Sequence, residues 1–177
     1  MFQKFYPDLY ISSTYEIDFD RLYRDGYRGL IFDIDNTLVT HGAPANEKAK
    51  KLFAHLHELG FATCLISNNQ EPRVKPFADA VQSMYIYDAD KPSTKNYEKA
   101  MERMHTAKKN TIFIGDQMST DVFGANRTGI PSIMVKKIHW KEEIQIVLKR
   151  RLEAIVLIGY RNFRKKHRSI FENREEE

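Results

Sequence analysis

The chain has 177 residues, 42% of them hydrophobic and 29% charged, with a net charge of +4. These values are typical of a globular protein with one hydrophobic core, so we expect a single domain over residues 1–177. No run of 18 apolar residues is present, and the N-terminus lacks a basic stretch followed by an apolar one. We therefore expect neither a membrane-spanning helix nor a signal peptide. The single cysteine, Cys64, cannot form an internal disulfide, which favours a cytoplasmic protein with Cys64 buried in a strand.

Apolar strand-like segments alternate with helical ones along the chain. The first 28 residues are rich in aromatic and turn-forming residues, and we expect them to be irregular except for a short helix at 19–24. Strands are predicted at 29–34, 61–67, 84–87, 111–115 and 131–135. Helices are predicted at 47–59 with Asn46 as cap, from about 73 to 81, at 92–107 opened by Pro92, at 119–128, and as an amphipathic segment at 140–158.

This alternation predicts the fold class. Strands that are apolar throughout, rather than on one face, are typical of a parallel sheet covered by helices on both sides. The sequence therefore predicts an α/β protein with a Rossmann-like parallel sheet. Such sheets bind ligands at the carboxyl ends of their strands.

Two carboxylates, Asp33 and Asp35, end the first long strand. On an extended backbone residues i and i+2 point the same way, so both side chains are expected on one face. Two buried like charges at a strand end are stable only with a cation between them. We therefore expect a divalent metal ion and an anionic substrate here.

Polar residues also follow the other strands. Ser67 and Asn68 follow the second long strand, Lys91 precedes a helix, and Asp116 follows a later strand with Asp121 five residues on. In a parallel sheet these ends lie on one edge. The set fits phosphoryl transfer, in which one carboxylate attacks phosphorus and a second moves protons. Mg²⁺, a serine and a lysine can then neutralise the phosphoryl oxygens.

Four segments in order, FDIDNTLV, ISNN, DADKP and GDQMSTD, resemble the four motifs of the haloacid dehalogenase (HAD) superfamily of phosphatases. More closely, they resemble the YqeG-type branch of its subfamily IIIA. That branch is related to the phosphatidylglycerophosphate phosphatases of mitochondria and plastids. The resemblance implies a HAD-like Rossmannoid fold and a Mg²⁺-dependent phosphatase that acts through an aspartyl-phosphate.

The resemblance also implies residue roles. Asp33 would be the nucleophile, and Asp35 the general acid and base that lends its backbone carbonyl to the metal. Asp121 would support the metal directly or through water. The implied metal site comprises Asp33, Asp35, Asp116 and Asp121. The implied phosphoryl-binding residues are Ser67, Asn68 and Lys91.

No cap domain is expected, because segments 39–49 and 68–90 are too short to hold the insertion that many superfamily members carry there. An open site must exclude water through a large substrate, a partner subunit or a surface. The candidate large substrates are a lipid headgroup in a bilayer, a nucleic-acid end and a phosphoprotein. A small substrate in an oligomer stays open as an alternative.

Basic residues and aromatics are interleaved in section 136–168. This composition suits peripheral contact with an anionic membrane, and suits RNA somewhat less well. A solvated helix face without a partner stays open. The favoured hypothesis is hydrolysis of phosphatidylglycerophosphate to phosphatidylglycerol at a membrane face. The alternatives are an RNA- or ribosome-associated binding protein on the same fold, and a phosphatase for a nucleic-acid end or a phosphoprotein.

Overall fold

The computed structural model describes residues 3–138 and 144–166, with side chains from residue 153 onward in the second range. Its centre is a six-stranded sheet in the order β1-β6-β5-β2-β3-β4, and every neighbouring pair is parallel. The strands are β1 (Leu9–Ile11), β2 (Gly29–Phe32), β3 (Ala62–Ile66), β4 (Met84–Ile86), β5 (Thr111–Gly115) and β6 (Ser132–Val135). The predicted parallel α/β sheet is confirmed.

Six α-helices accompany the sheet in the described ranges. They are α1 (Phe19–Arg24), α2 (Glu47–Leu59), α3 (Glu71–Val81), α4 (Lys95–Met104), α5 (Phe123–Thr128) and α6 (Ile144–Arg164). The Asn46 side chain caps α2 by accepting a hydrogen bond from the Ala49 N–H, as predicted. Gly60 ends the helix with φ at 100°, a left-handed conformation that favours glycine.

Helices cover both faces of the sheet because successive strand residues point to opposite sides. In β2, Leu30 and Phe32 pack in the cluster that contains residues of α1, α2 and α3. Ile31 between them packs in the other cluster, with residues of α4 and α5. Cys64 is fully buried in this second cluster, as predicted, and burial raises the pKa of its thiol to about 12.

The predicted lead-in is wrong, and several predicted element ends differ from the structure, among them the end of β2, which lies at Phe32 rather than residue 34, and the start of α4. The lead-in is not irregular, since β1 pairs with β6 at the edge of the sheet. The strand β1 is not recognisable from the sequence pattern, because it is three residues long and only partly buried. The helix α4 begins at Lys95 rather than Pro92, because the Ser93 N–H bonds to the Asp90 carbonyl and closes a turn first. The Lys91–Pro92 peptide bond in this turn is cis.

The amphipathic helix α6 buries a different face from the one predicted. The apolar stripe of the sequence includes Ile155 and Ile158, but these side chains are 60% and 61% exposed. Val156 and Tyr160 are buried instead. The Tyr6 ring packs against Tyr160 and lies so close to Gly159 that a Cβ there would be 2.6 Å from its hydroxyl. The aromatic side chain of Tyr6 thus determines which face of α6 is buried, namely the face that contains Gly159 and Tyr160. The predicted start at Trp140 lies outside the described residues.

The short connections leave the sheet edge uncapped, as predicted. Residues 33–46 contain no helix or strand beyond an isolated bridge, and α3 is the one element between β3 and β4. None of the described helices is both long and apolar enough to cross a membrane.

Candidate active site

The predicted polar residues meet where the strand order reverses. From β2 the chain adds β3 and β4 on one side, and later β5 and β6 on the other. The carboxyl end of β2 therefore lies at a topological switch point, where parallel sheets bind ligands. Asp33 follows β2 directly, Ser67 follows β3 and Asp116 follows β5.

Three buried carboxylates form the centre of this edge. Asp33, Asp116 and Asp121 each offer an oxygen within 4.8 Å of the others. The Lys91 ammonium lies between two of them, 2.5 Å from Asp33 Oδ1 and 2.7 Å from Asp121 Oδ1, and its side chain is 4% exposed. We call these four residues the carboxylate cluster. Lys91 pairs directly with Asp33 and Asp121, while Asp116 lies beside them, so these four residues together carry an excess of negative charge.

This excess is visible in the pKa values. Burial raises the pKa of Asp33 to about 7; Lys91 opposes the rise, and Asp121 adds to it. Burial and then the charges of Asp33 and Asp121 hold the pKa of Asp116 well above its usual range. Burial alone would lower the pKa of Lys91, but Asp121 and Asp33 raise it above its ordinary value. The cluster therefore favours binding a further cation.

The cluster fits a divalent metal ion. Asp116 Oδ2 is buried and has no hydrogen-bond partner among the described residues, although Lys137 Nζ lies 3.8 Å away. A buried carboxylate oxygen without a partner is rare and calls for an ion or a water. Clustered carboxylate oxygens are the ligands that Mg²⁺ prefers.

Local structure positions Asp121. It lies in a π-helical turn, Met118–Val122, that precedes α5. The Gln117 N–H donates to Asp121 Oδ2 at 3.0 Å, and the Tyr97 hydroxyl donates to the Thr120 carbonyl at 3.0 Å. A Cβ at position 115 would lie 2.5 Å from Asp121 Oδ2, so only glycine leaves room for this carboxylate.

The Asp35 side chain lies apart from the carboxylate cluster. Its Oδ1 accepts from the Gly42 N–H at 2.8 Å and from Arg73 Nη2 at 2.7 Å, and its Oδ2 accepts from Asn69 Nδ2 at 2.7 Å. The expectation that Asp33 and Asp35 face one cation is therefore wrong for their side chains. The physical reason is that the donors around the Asp35 carboxylate come from Gly42 in the following loop, from Asn69 after β3 and from Arg73 of α3.

The phosphoryl-binding candidates occupy the neighbouring strand end. Ser67 Oγ accepts from the N–H and from Nδ2 of Asn69, at 3.1 and 3.3 Å. With both acceptor positions of the oxygen used, the Ser67 hydroxyl is left to act as a hydrogen-bond donor. Asn68 instead bonds the Lys91 backbone, since its Oδ1 accepts from the Lys91 N–H at 2.8 Å and its Nδ2 donates to the Lys91 carbonyl at 3.3 Å. The Asn68 amide thus positions Lys91.

Three polar residues of this edge were missed by the sequence reasoning. Asn69 is the second asparagine of ISNN, and Arg73 lies in the first turn of α3. Lys137 was counted in the basic section and assigned to an external partner, yet it lies beside Asp116. A helix that follows β3 starts at the ligand-binding edge of the sheet. A charged residue in its first turn, such as Arg73, could therefore have been predicted to lie at the site.

A parallel sheet with this carboxylate cluster at its switch point defines the class of HAD-type phosphatases. Residues 89–144 match the family described as HAD-hydrolase-like. The chain is 36% identical over 137 residues to Probable phosphatase YqeG of Bacillus subtilis (strain 168), covering 76% of this chain and 80% of that protein. The chain therefore belongs to the YqeG-type phosphatases of the HAD superfamily.

Two further comparisons agree with this class. Phosphatidylglycerophosphate phosphatase 1, chloroplastic/mitochondrial, of Arabidopsis thaliana is 24% identical over 162 residues, covering 85% of this chain and 47% of that protein. The crystal structure of a HAD phosphatase from Thermococcus onnurineus superposes with a TM-score of 0.51 at 13% identity, covering 66% of this chain and 90% of that one. The second likeness concerns the fold alone.

Proposed function

We propose that this phosphatase hydrolyses a phosphate monoester with Mg²⁺, through an aspartyl-phosphate at Asp33. The observation that carries the proposal is the buried cluster of Asp33, Asp116 and Asp121, with its unpartnered Asp116 oxygen. These three carboxylates and the Asp35 backbone carbonyl would hold the ion. When bound, Mg²⁺ supplies positive charge to the phosphate oxygens and so makes phosphorus easier to attack.

The residues of the site divide the reaction into two displacements. In the first, Asp33 Oδ bonds to phosphorus while the bond from phosphorus to the leaving oxygen breaks, and protonated Asp35 gives that oxygen its proton. In the second, Asp35 takes a proton from water as the water oxygen bonds to phosphorus. The bond to Asp33 then breaks, and inorganic phosphate leaves. The Ser67 hydroxyl and the Lys91 ammonium would bind phosphoryl oxygens throughout.

The candidate substrate is phosphatidylglycerophosphate, and the exposed face of α6 supports it. Ile155 and Ile158 are solvent-exposed, and the same face continues with exposed Arg161 and, just past the helix, Lys165. Apolar side chains followed by basic ones complement an anionic bilayer, which takes the first into its interface and attracts the second. We propose that this surface contacts the membrane peripherally.

The proposed membrane surface adjoins the carboxylate cluster. A cavity of about 220 Å³ is lined by Asp116 and Lys137 on one side and by Ala154 and Leu157 of α6 on the other. A headgroup lifted from a bilayer at α6 would therefore enter beside Asp116. Exposed isoleucines favour lipid over RNA, because RNA-binding surfaces use aromatic rings to stack bases.

Phosphate release from phosphatidylglycerophosphate in mixed micelles, with and without Mg²⁺, tests the proposal. We expect Mg²⁺-dependent release by the wild-type protein and none by Asp33→Asn. Good turnover of a soluble ester without release from the lipid would overturn the lipid assignment alone. The double change Ile155→Ser and Ile158→Ser should slow the micellar reaction more than the soluble one. Met84→Ser with Tyr87→Ser, which alters two exposed residues at β4, is the matched control.

A further inference from the structure

Arg73 reaches from the first turn of α3 to the proposed general acid. Its Nη2 lies 2.7 Å from Asp35 Oδ1, and its side chain is 21% exposed. The guanidinium also lies near the Phe77 ring, 5.6 Å from Cζ to the ring centroid. The guanidinium is therefore held beside Asp35 and Phe77, while part of the Arg73 side chain remains in contact with solvent.

The hydrogen bonds of Arg73 are incomplete in this position. A guanidinium carries five N–H donors. Among the described residues it makes one hydrogen bond, to Asp35, and its Nε is buried without a partner. A buried donor without a partner is unfavourable in the folded state. Asp35 already accepts from Gly42 and Asn69, so the carboxylate keeps two donors if Arg73 turns away.

Arg73 also differs in placement from the other cations of the site. Lys91 is enclosed between Asp33 and Asp121, and Lys137 lies beside Asp116. Both ammonium groups lie at the buried carboxylates Asp33, Asp116 and Asp121, where the reacting phosphoryl group would bind. Arg73 instead contacts Asp35, which is proposed to protonate the leaving oxygen. Its guanidinium is therefore on the leaving-group side of the reaction.

We propose that Arg73 forms a subsite for a second anionic group, carried on the alcohol part of the substrate. This inference rests on the proposed function and narrows its substrate class to monoesters that also bear a phosphodiester or a similar acid a few bonds from the reacting phosphate. A planar guanidinium with unused donors matches the two oxygens of such a group. The internal phosphodiester of a glycerophospholipid headgroup has this chemistry, and so does a soluble diester.

Two soluble esters separate the subsite from the reaction itself. One is glycerophosphoglycerol phosphate, which carries a terminal monoester and a charged internal diester. The other is its O-methyl triester, which loses only the internal charge. A charge-assisted hydrogen bond of about 1.5–3 kcal/mol corresponds to a ratio of about 10–150 in kcat/KM between the two. We expect the wild-type protein to show this preference mainly in KM.

Three variants then decide the outcome. Arg73→Gln should bring the ratio close to one, and Arg73→Lys should keep part of it, since an ammonium retains charge but not the planar pair of donors. Lys75→Gln is the matched control, because Lys75 lies on the same helix and pairs with Asp79 on the surface. Its ratio should equal that of the wild type. A wild-type ratio near one, or an unchanged ratio in Arg73→Gln with both esters slowed alike, would overturn the subsite. Mg²⁺-independent turnover of both esters that survives Asp33→Asn would overturn the proposed function instead.

Discussion

Replacing Asp33, the proposed nucleophile, with asparagine should stabilise the metal-free protein at neutral pH. Asp33 is 6% exposed, shares the Lys91 ammonium with Asp121 and lies beside the Asp116 carboxylate. Without a metal ion, its ionised form is unfavourable in the folded state. Asparagine has nearly the same shape and no charge, so Asp33→Asn removes this repulsion while it abolishes turnover.

The magnitude follows from the pKa of Asp33. A pKa of about 7 in the folded protein, against the ordinary value of 3.8, corresponds to about 4 kcal/mol at a pH above both values. The attraction of Lys91 is already contained in that pKa. Since Asp116 shares the same repulsion, we expect Asp33→Asn to gain about 2–4 kcal/mol in the free energy of unfolding.

The sign of the pH dependence is opposite to that of an ion-paired carboxylate. Because the folded state binds the Asp33 proton more tightly, the contribution of Asp33 to the wild-type free energy of unfolding falls as pH rises between about 4 and about 7. The variant cannot ionise at this position. The difference between the two proteins should therefore be near zero below pH 4 and largest above pH 7.

Urea unfolding in EDTA at pH 5 and pH 8 measures this difference. Asp35→Asn is the matched control, because the Asp35 carboxylate accepts from Gly42, Asn69 and Arg73. That change should lower the free energy of unfolding by about 1–3 kcal/mol, since it leaves donors unpaired. The electrostatic explanation of the cluster would be refuted if Asp33→Asn were less stable than wild type in EDTA. It would also be refuted if the difference in the free energy of unfolding were the same at both pH values.

Two further changes test how Asp121 is positioned. Gly115→Ala places a Cβ 2.5 Å from Asp121 Oδ2, so it should displace that carboxylate and reduce Mg²⁺-dependent turnover about tenfold or more, together with Mg²⁺ affinity by calorimetry. Unaltered affinity would contradict the close packing described here. Tyr97→Phe removes the hydrogen bond to the Thr120 carbonyl and should cost about 1 kcal/mol in thermal or urea unfolding, with a fall in Mg²⁺ affinity. Tyr85→Phe, which loses a hydrogen bond to Glu71 and alters no contact of the carboxylate cluster, should leave Mg²⁺ affinity at the wild-type value.

The sheet and the acidic strand ends were predictable because both are local signals. Buried parallel strands such as β2 and β5 are apolar at every position, and a carboxylate directly after such a strand stands out. The grouping of Asp33, Asp116 and Asp121 followed from parallel topology alone. The short edge strand β1 has no such signal, since its pairing with β6 depends on residues more than 120 positions away.

The parts that were missed depend on how elements dock. Which face α6 buries is decided by Tyr6 against Gly159 and Tyr160, and its apolar stripe does not reveal this choice. The hydrogen-bond donors around Asp35 could not be predicted either, because they too depend on how the elements pack together. Spacing two says nothing about which donors surround each carboxylate, whereas the position of α3 brings Arg73 to Asp35.

The most direct test of the central claim is to trap the phosphoryl group on the protein. Asp35→Asn should still be phosphorylated by an aryl phosphate, whose leaving group needs no proton, but should release phosphate slowly because the general base is missing. Acid-quenched protein is then digested and analysed by mass spectrometry. The account predicts one added phosphoryl group on Asp33 that requires Mg²⁺. Phosphorylation of another residue, or Mg²⁺-dependent phosphate release by this variant with Asp33 unmodified at every quench time, would contradict it.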